Sequence, residues 1–316
     1  MKKTIAIVLS LALLLTVFAA CAPQKANPAL ISSPEEFYGY RIAVQTGSSY
    51  YYEVLEQNNK RGAKSEIQIK AFDTVTECFE ELKLGRVDAV YCNSAAAMYY
   101  SEGAEKAYFE NTWESEEAKA VGIAFKPDST IVDAVNSAIK ALHYNGTMAK
   151  ISLESLGDNI YSQQEPITQE PELLAIGLDK KIVVACDISN PPLAYRAYEY
   201  DKVNKVFTGE GEVVGFDVRL AQEIAKIFNL ELELIDISLT DMPNKIADYD
   251  CLISAATVAS LDSDDILMSD TYITMGGAVV ISSGLNKDAV DELASTSLES
   301  TTEDTTEDTN DNGAGE

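Results

Sequence analysis

A single histidine, His143, and a single tryptophan, Trp113, serve 316 residues. One imidazole removes most triad and acid–base schemes, and no GxSxG, HExxH or Walker A pattern stands in its place. Cysteine is sparse as well. Cys21, Cys78, Cys92, Cys186 and Cys251 form no CxxC pair and no close cluster, so neither a metal site nor a disulfide framework is signalled. The last four read as buried thiols acting as small apolar residues. Positive charge is scarce: 24 Lys and Arg face 51 Asp and Glu, for a net −27. A body this acidic repels phosphate backbones, which argues against nucleic acid as a partner. Nothing in the sequence calls for a cofactor.

The two ends differ from the body. Lys2 and Lys3 precede an apolar run over residues 5–20, and Ala19 and Ala20 lead into Cys21. That order reads as a secretory signal, too short and wrongly flanked for a membrane span. The stretch FAAC resembles the bacterial lipobox, with Phe18 where leucine is usual. On that resemblance residues 1–21 are a lipoprotein signal peptide and Cys21 is the lipidated N-terminus; otherwise the chain is an ordinary secreted protein. A linker follows over 22–34. From Leu285 onward ten acids stand against Lys287 with almost nothing apolar, so 286–316 is expected to be a disordered acidic tail.

Between the ends the chain builds one pattern twice. RIAVQTGSS and KIVVACDISNPP each run an apolar strand into a small, polar, turn-prone segment. IQIKAFDTVTECFEELKLGRVDAVYCNSAAAM is echoed by LELELIDISLTDMPNKIADYDCLISAATVA, both ending in an acid, an apolar strand and small residues. Strand, helix, strand, helix, strand in two copies predicts two α/β lobes with largely parallel sheets. Helices are expected over VGFDVRLAQEIAKIFNL, with Asp217 as N-cap, and over DSTIVDAVNSAIKALHYNG, stopped by Gly146. His143 falls in the last turn of the second, where a cation suits the helix dipole. In open α/β sheets ligands sit beyond the C-terminal ends of the strands. That rule places TGSS, CNSAA, DISNPP and SAAT around a crevice.

At this point the sequence resembles the bacterial extracellular solute-binding proteins of the polar amino acid type, the receptors of ABC importers. The stretches that carry the resemblance are YGYRIAVQTGSSYYYEVLEQ, LKLGRVDAVYCNSAAAMYY, VGIAFKPDSTIVDAVNSAIKALHYNGTMAKI, PPLAY, VGFDVRLAQEIAKIF and YDCLISAATVASLDSDDILMSDTYITMGGAVVIS. The resemblance implies a two-lobe, periplasmic-binding-protein-like (type II) α/β fold with a central ligand cleft. Their order is rotated relative to the family. Residues 35–118 match the family's second lobe, 119–160 its return strand and helices, 161–180 form a linker, and 181–285 match the first lobe. The chain thus resembles a circular permutant with its ends at the first hinge crossing, which would leave one covalent strand between the lobes and a looser hinge. Two incomplete copies in tandem, pairing between chains, would give the same order.

The resemblance also implies a site. The family's anion-binding helix start survives as Gly47, Ser48 and Ser49. Its amino-binding acid falls on Asn93, its carboxylate-binding Arg on Asp262, and an aromatic position beside the Pro-Pro turn on Leu193, with Tyr195 close by. Asp187, Ser254 and Thr257 complete the expected rim. A buried Asp262 facing a carboxylate is unfavourable. Three readings stay open: Arg196 supplies the missing cation, the ligand brings an amine to Asp262, or Asp262 is simply solvated. The function implied is amino acid transport at the cell envelope. A lipid-anchored protein, on the cell surface or in the periplasm, captures a small polar solute for an ABC permease and is not an enzyme. A degenerate binding module serving as a scaffold or sensor surface, and an enzyme on the same fold, are the alternatives.

Overall fold

The computed structural model describes residues 31, 33–61, 66–103, 105–157, 167–201, 206–254 and 266–283. The signal, Cys21, Thr257, Asp262 and the acidic tail lie outside them.

The chain opens with Arg41–Gln45 (β1), whose last four residues are buried, as a strand covered on both faces requires. Ser49–Arg61 (α1) follows, then Gln68–Phe72 (β2). Val75–Lys83 (α2) starts on a capping box in which Thr74 and Glu77 satisfy each other's backbone N–H. Its Val75, Cys78, Phe79 and Leu82 recur at helical spacing and are buried. Ala89–Asn93 (β3), Ser94–Glu102 (α3) and Phe109–Glu114 (β4) complete this stretch. Next come Lys119–Val121 (β5), Ala124–Phe125 (β6), Val132–Tyr144 (α4) and Thr147–Leu156 (α5). Residues 167–180 carry neither helix nor strand, yet Ile176 inserts into a core.

The second half brings Lys181–Cys186 (β7), Ser189–Asn190 (β8), Ala194–Asp201 (β9) and Val206–Val214 (β10). Phe216–Ile227 (α6), Glu231–Asp236 (β11), Cys251–Leu252 (β12), Leu267–Met268 (β13), Ile273–Met275 (β14) and Gly277–Ser282 (β15) follow.

Two five-stranded sheets result, ordered β2-β1-β3-β15-β4 and β11-β7-β12-β6-β13. We call them the N-lobe and C-lobe sheets. In each, four strands point the same way and one runs against them, β15 in the N-lobe sheet and β6 in the C-lobe sheet, so both sheets are mixed. Helices α4, α5 and α6 pack in one core with Ile182 and Val184 of β7.

Several expectations are corrected. Strand β15 lies in the N-lobe sheet between β3 and β4, so residues 277–282 do not belong with the lobe formed by 181 onward. The chain therefore passes between the sheets twice, at residues 115–118 and at Gly276. Strands β5 and β14 pair antiparallel on the C-lobe side of these crossings. The crossings touch: Ser115 donates its N–H to Gly277 O at 2.7 Å, and a Cβ on Gly276 would come 2.9 Å from Ser115 O. A single crossing and the looser hinge drawn from it are withdrawn. Asp217 is not an N-cap; Gly215 holds that position, and the buried Asp217 accepts from Tyr272 Oη at 2.9 Å. Burial also lowers the pKa of His143, which opposes a standing cation there.

The crossings are braced from the N-lobe. Lys119 of β5 pairs with Glu53 of α1 and lies 5.3 Å from the centre of the Tyr50 ring. Tyr91 Oη donates to Glu53 at 2.7 Å, and Tyr50 Oη donates to Gly276 O at 3.1 Å. Lys119→Met keeps most of the stem and removes the charge. Both partners are partly exposed and solvent screens them, so urea unfolding should show a loss of only about 1 kcal/mol.

Candidate functional site

Strand β1 ends at Gln45 and strand β7 runs into Asp187, and the two side chains meet between the lobes. Gln45 Nε2 donates to Asp187 Oδ2 at 2.7 Å and also to Asp73 O at 3.2 Å. Asp187 Oδ1 accepts from the backbone N–H and hydroxyl of Ser189. A second bridge runs from Thr76 Oγ1 to Ser189 O at 3.3 Å. Gly47, at φ +82°, sits so close to the 239–240 backbone that a Cβ would approach Leu239 C and Thr240 N at 3.3 Å. The polar ends of β1 and β7 therefore touch directly.

Asp187 is 3 % exposed, and among the described residues no lysine or arginine forms an ion pair with it. Burial pushes its carboxyl above the ordinary range, while hydrogen bonds from Ser189 and Gln45 pull the other way. The sign of the consequence is fixed. The folded chain holds this proton more tightly than the unfolded chain, so the group's contribution to stability improves as pH falls through the raised pKa and worsens as pH rises through it. Comparing melting temperatures of the wild type and Asp187→Asn between pH 7 and pH 4 should show the wild type gaining on the variant as acid is added.

Beside this contact lies a cavity of about 890 Å³ shared by both lobes. Helices α2 and α3 supply Thr76, Phe79, Glu80, Tyr99 and Tyr100, and the turn between them and β4 supplies Glu105. The C-lobe supplies Ile188, Ser189, Pro191, Tyr195 and Arg196. Tyr99 and Tyr195 face each other with ring centroids 5.7 Å apart. At the edge of this region Asn190 is 1 % exposed, and neither atom of its side-chain amide has a hydrogen-bond partner.

The expected site residues divide into three groups. Tyr195 and Arg196 line the shared cavity, and Asp187 makes the contact beside it. Gly47, Ser48, Ser49, Asn93 and Ser254 are buried and absent from the cavity wall. Of these, Ser48 Oγ caps the start of α1 by accepting from Tyr51 N, and Asn93 Oδ1 caps α3 by accepting from Ala96 N at 2.8 Å. Thr257 and Asp262 lie outside the described residues. Gln45, Thr76 and Tyr99 were missed. Gln45 was visible as the polar end of RIAVQ, but Tyr99 carried no signal, because its partner sits on the other lobe. Among the described residues no His, Cys, Asp or Glu grouping would hold a metal, and no helix is long and apolar enough to cross a membrane.

No family model matches the chain. Individual proteins do. The chain is 27% identical over 105 residues to the glutamate-binding protein GluB of Corynebacterium efficiens, covering 31% of this chain and 35% of that protein. It is 24% identical over 138 residues to the L-cystine-binding protein TcyJ of Escherichia coli, covering 43% and 49%. The chain thus spans only about a third to a half of the curated relatives it matches. Among solved structures, the ligand-binding component of an ABC-type import system from Staphylococcus aureus aligns at 10% identity and a TM-score of 0.40, over 80% of this chain and 68% of that one. The homologues of this chain are bacterial glutamate- and L-cystine-binding proteins.

Proposed function

We propose that the chain is a solute-binding protein of an ABC importer, held on the extracytoplasmic face of the membrane by a lipid on Cys21. It captures a small polar solute between its lobes and presents it to the permease. The observation that carries the reading is the meeting of the two strand ends, Gln45 on Asp187, beside a cavity that both lobes line. Such a protein needs no reacting group, only a solute that binds the closed state better than the open one. The unpartnered Asn190 amide at the cavity's edge favours a polar occupant, since buried polar groups ordinarily have partners.

The rotated chain order fits this reading with its cut moved. Ile31 is buried in the N-lobe core beside Val279 and Ile281, and the Thr112 hydroxyl lies within hydrogen-bond reach of both Ile31 O, at 2.9 Å, and Val279 O, at 3.3 Å. The described start and end of the chain therefore share one lobe, beyond the crossing, and both crossings are kept. An alignment that respects chain order follows only one of two rotated blocks, in keeping with the partial coverage of the relatives.

Calorimetry and thermal shift of the full chain against the common amino acids, cystine and polyamines test the function. A solute at a hundred times its Kd should add about 2.7 kcal/mol and raise the melting temperature by roughly 5–10 °C. Silence across that panel would favour the degenerate module. Cys21→Ala should move the protein from the membrane fraction to the soluble one.

A further inference from the structure

A second cavity, of about 780 Å³, lies at the crossings between the lobes. Its wall is built from one face of α1, the segment before β1, Tyr91 of β3, Trp113 of β4, and the crossings themselves through Ser115, Lys119 and Gly277. It shares no lining residue with the cavity beside Gln45 and Asp187. We infer that this cavity is a binding site for an organic ammonium ion, separate from the solute site and independent of which solute that site takes.

Such an ion asks a wall for aromatic surface and for spare negative charge, and both are present. Tyr38, Tyr91 and Trp113 supply the rings. Tyr38 Oη donates to Gln57 O at 3.0 Å and Tyr91 Oη to Glu53 at 2.7 Å, which pins both phenols in place. Trp113 is only half-buried, with its ring centroid 6.4 Å from that of Tyr91. Aromatic rings attract an ammonium through their quadrupole, tryptophan most strongly. The charge follows from the pairing. Lys60 is taken by Glu56 at 2.8 Å and Lys119 by Glu53, so each cation of the wall already has its carboxylate. Glu35 and Glu117 also line the cavity and form no ion pair among the described residues. Four glutamates against two lysines leave the wall negative, inside a chain whose net −27 draws cations and repels anions. A bare metal ion would use the carboxylates alone. The rings, and a volume within the range of small-molecule sites, favour a cation that carries carbon.

The chain's one tryptophan stands in this wall and not in the other cavity, so its fluorescence reports on this site alone. Choline, tetramethylammonium and putrescine, titrated into the full chain, should each shift or quench the emission. They should bind about tenfold tighter than potassium or magnesium, while glutamate leaves the emission unchanged. By calorimetry Trp113→Leu should weaken the organic cations about tenfold and Trp113→Phe by less. The double variant Glu35→Gln with Glu117→Gln changes two exposed side chains, so the fold survives it, and it should weaken them several-fold. Glu110→Gln, which removes the same charge from β4 away from the cavity, should change nothing. The inference is overturned if none of the three cations alters the emission, if magnesium binds as tightly as they do, or if the double variant and Trp113→Leu both keep full affinity. None of these results touches the solute site, whose own test stands apart.

Discussion

Gly215→Ala should lower the melting temperature by on the order of 10 °C. Gly215 sits at φ +125°, a region that residues with a Cβ rarely enter. A Cβ there would come 2.3 Å from Leu193 O and 2.7 Å from Pro192 O, both backbone atoms that cannot swing aside. Those two carbonyls are in use: Phe216 N–H donates to Pro192 O at 3.2 Å and Asp217 N–H to Leu193 O at 2.8 Å, satisfying the first orphan donors of α6. Relieving the clash would break these bonds and unseat the turn that presents Asn190 and Tyr195. Strain and lost caps together should cost about 3–4 kcal/mol. Gly39→Ala is the control. Gly39 also has positive φ, +87°, but open space around it, so only about 1 kcal/mol should be lost. Equal melting shifts for the two variants would show that the close approach at Gly215 is not what matters.

Gln45→Leu should shift the unliganded protein toward an opened form by roughly ten- to a hundredfold. Leucine keeps the bulk but leaves Asp187 Oδ2 without its donor across the lobes, and a hydrogen bond to a buried charged group is worth about 1.5–3 kcal/mol. Small-angle scattering should register an increased radius of gyration. Solute affinity should fall too, because the binding-competent fraction is smaller. Unchanged scattering would mean that Thr76, Gly47 and the braced crossings hold the lobes together without Gln45.

Much of the fold was legible because its signals are local. RIAVQ and KIVVAC announce buried strands, and Val75, Cys78, Phe79 and Leu82 announce a helix face. What stayed hidden depends on distant partners. GGAVVIS reads as a strand, yet nothing within it says that it pairs with β3 and β4, more than 160 positions earlier in the chain by the register Val280↔Val90 and Val280↔Asn111. Asp217 looked like a cap because its sequence neighbours are helical, whereas Tyr272 decides its role. The site was half visible for the same reason. A polar strand end marked Asp187, but the Tyr99–Tyr195 contact arises only from the apposition of two lobes.

The placement of β15 bears on how the molecule is made. During synthesis β3 and β4 emerge early with a vacant slot between them, and the strand that fills it is added only after both copies of the α/β pattern have left the ribosome. The C-lobe receives all its strands before that moment, so it is positioned to fold first. The N-lobe must wait, which keeps the leading part of the chain pliable until its last strand has been made.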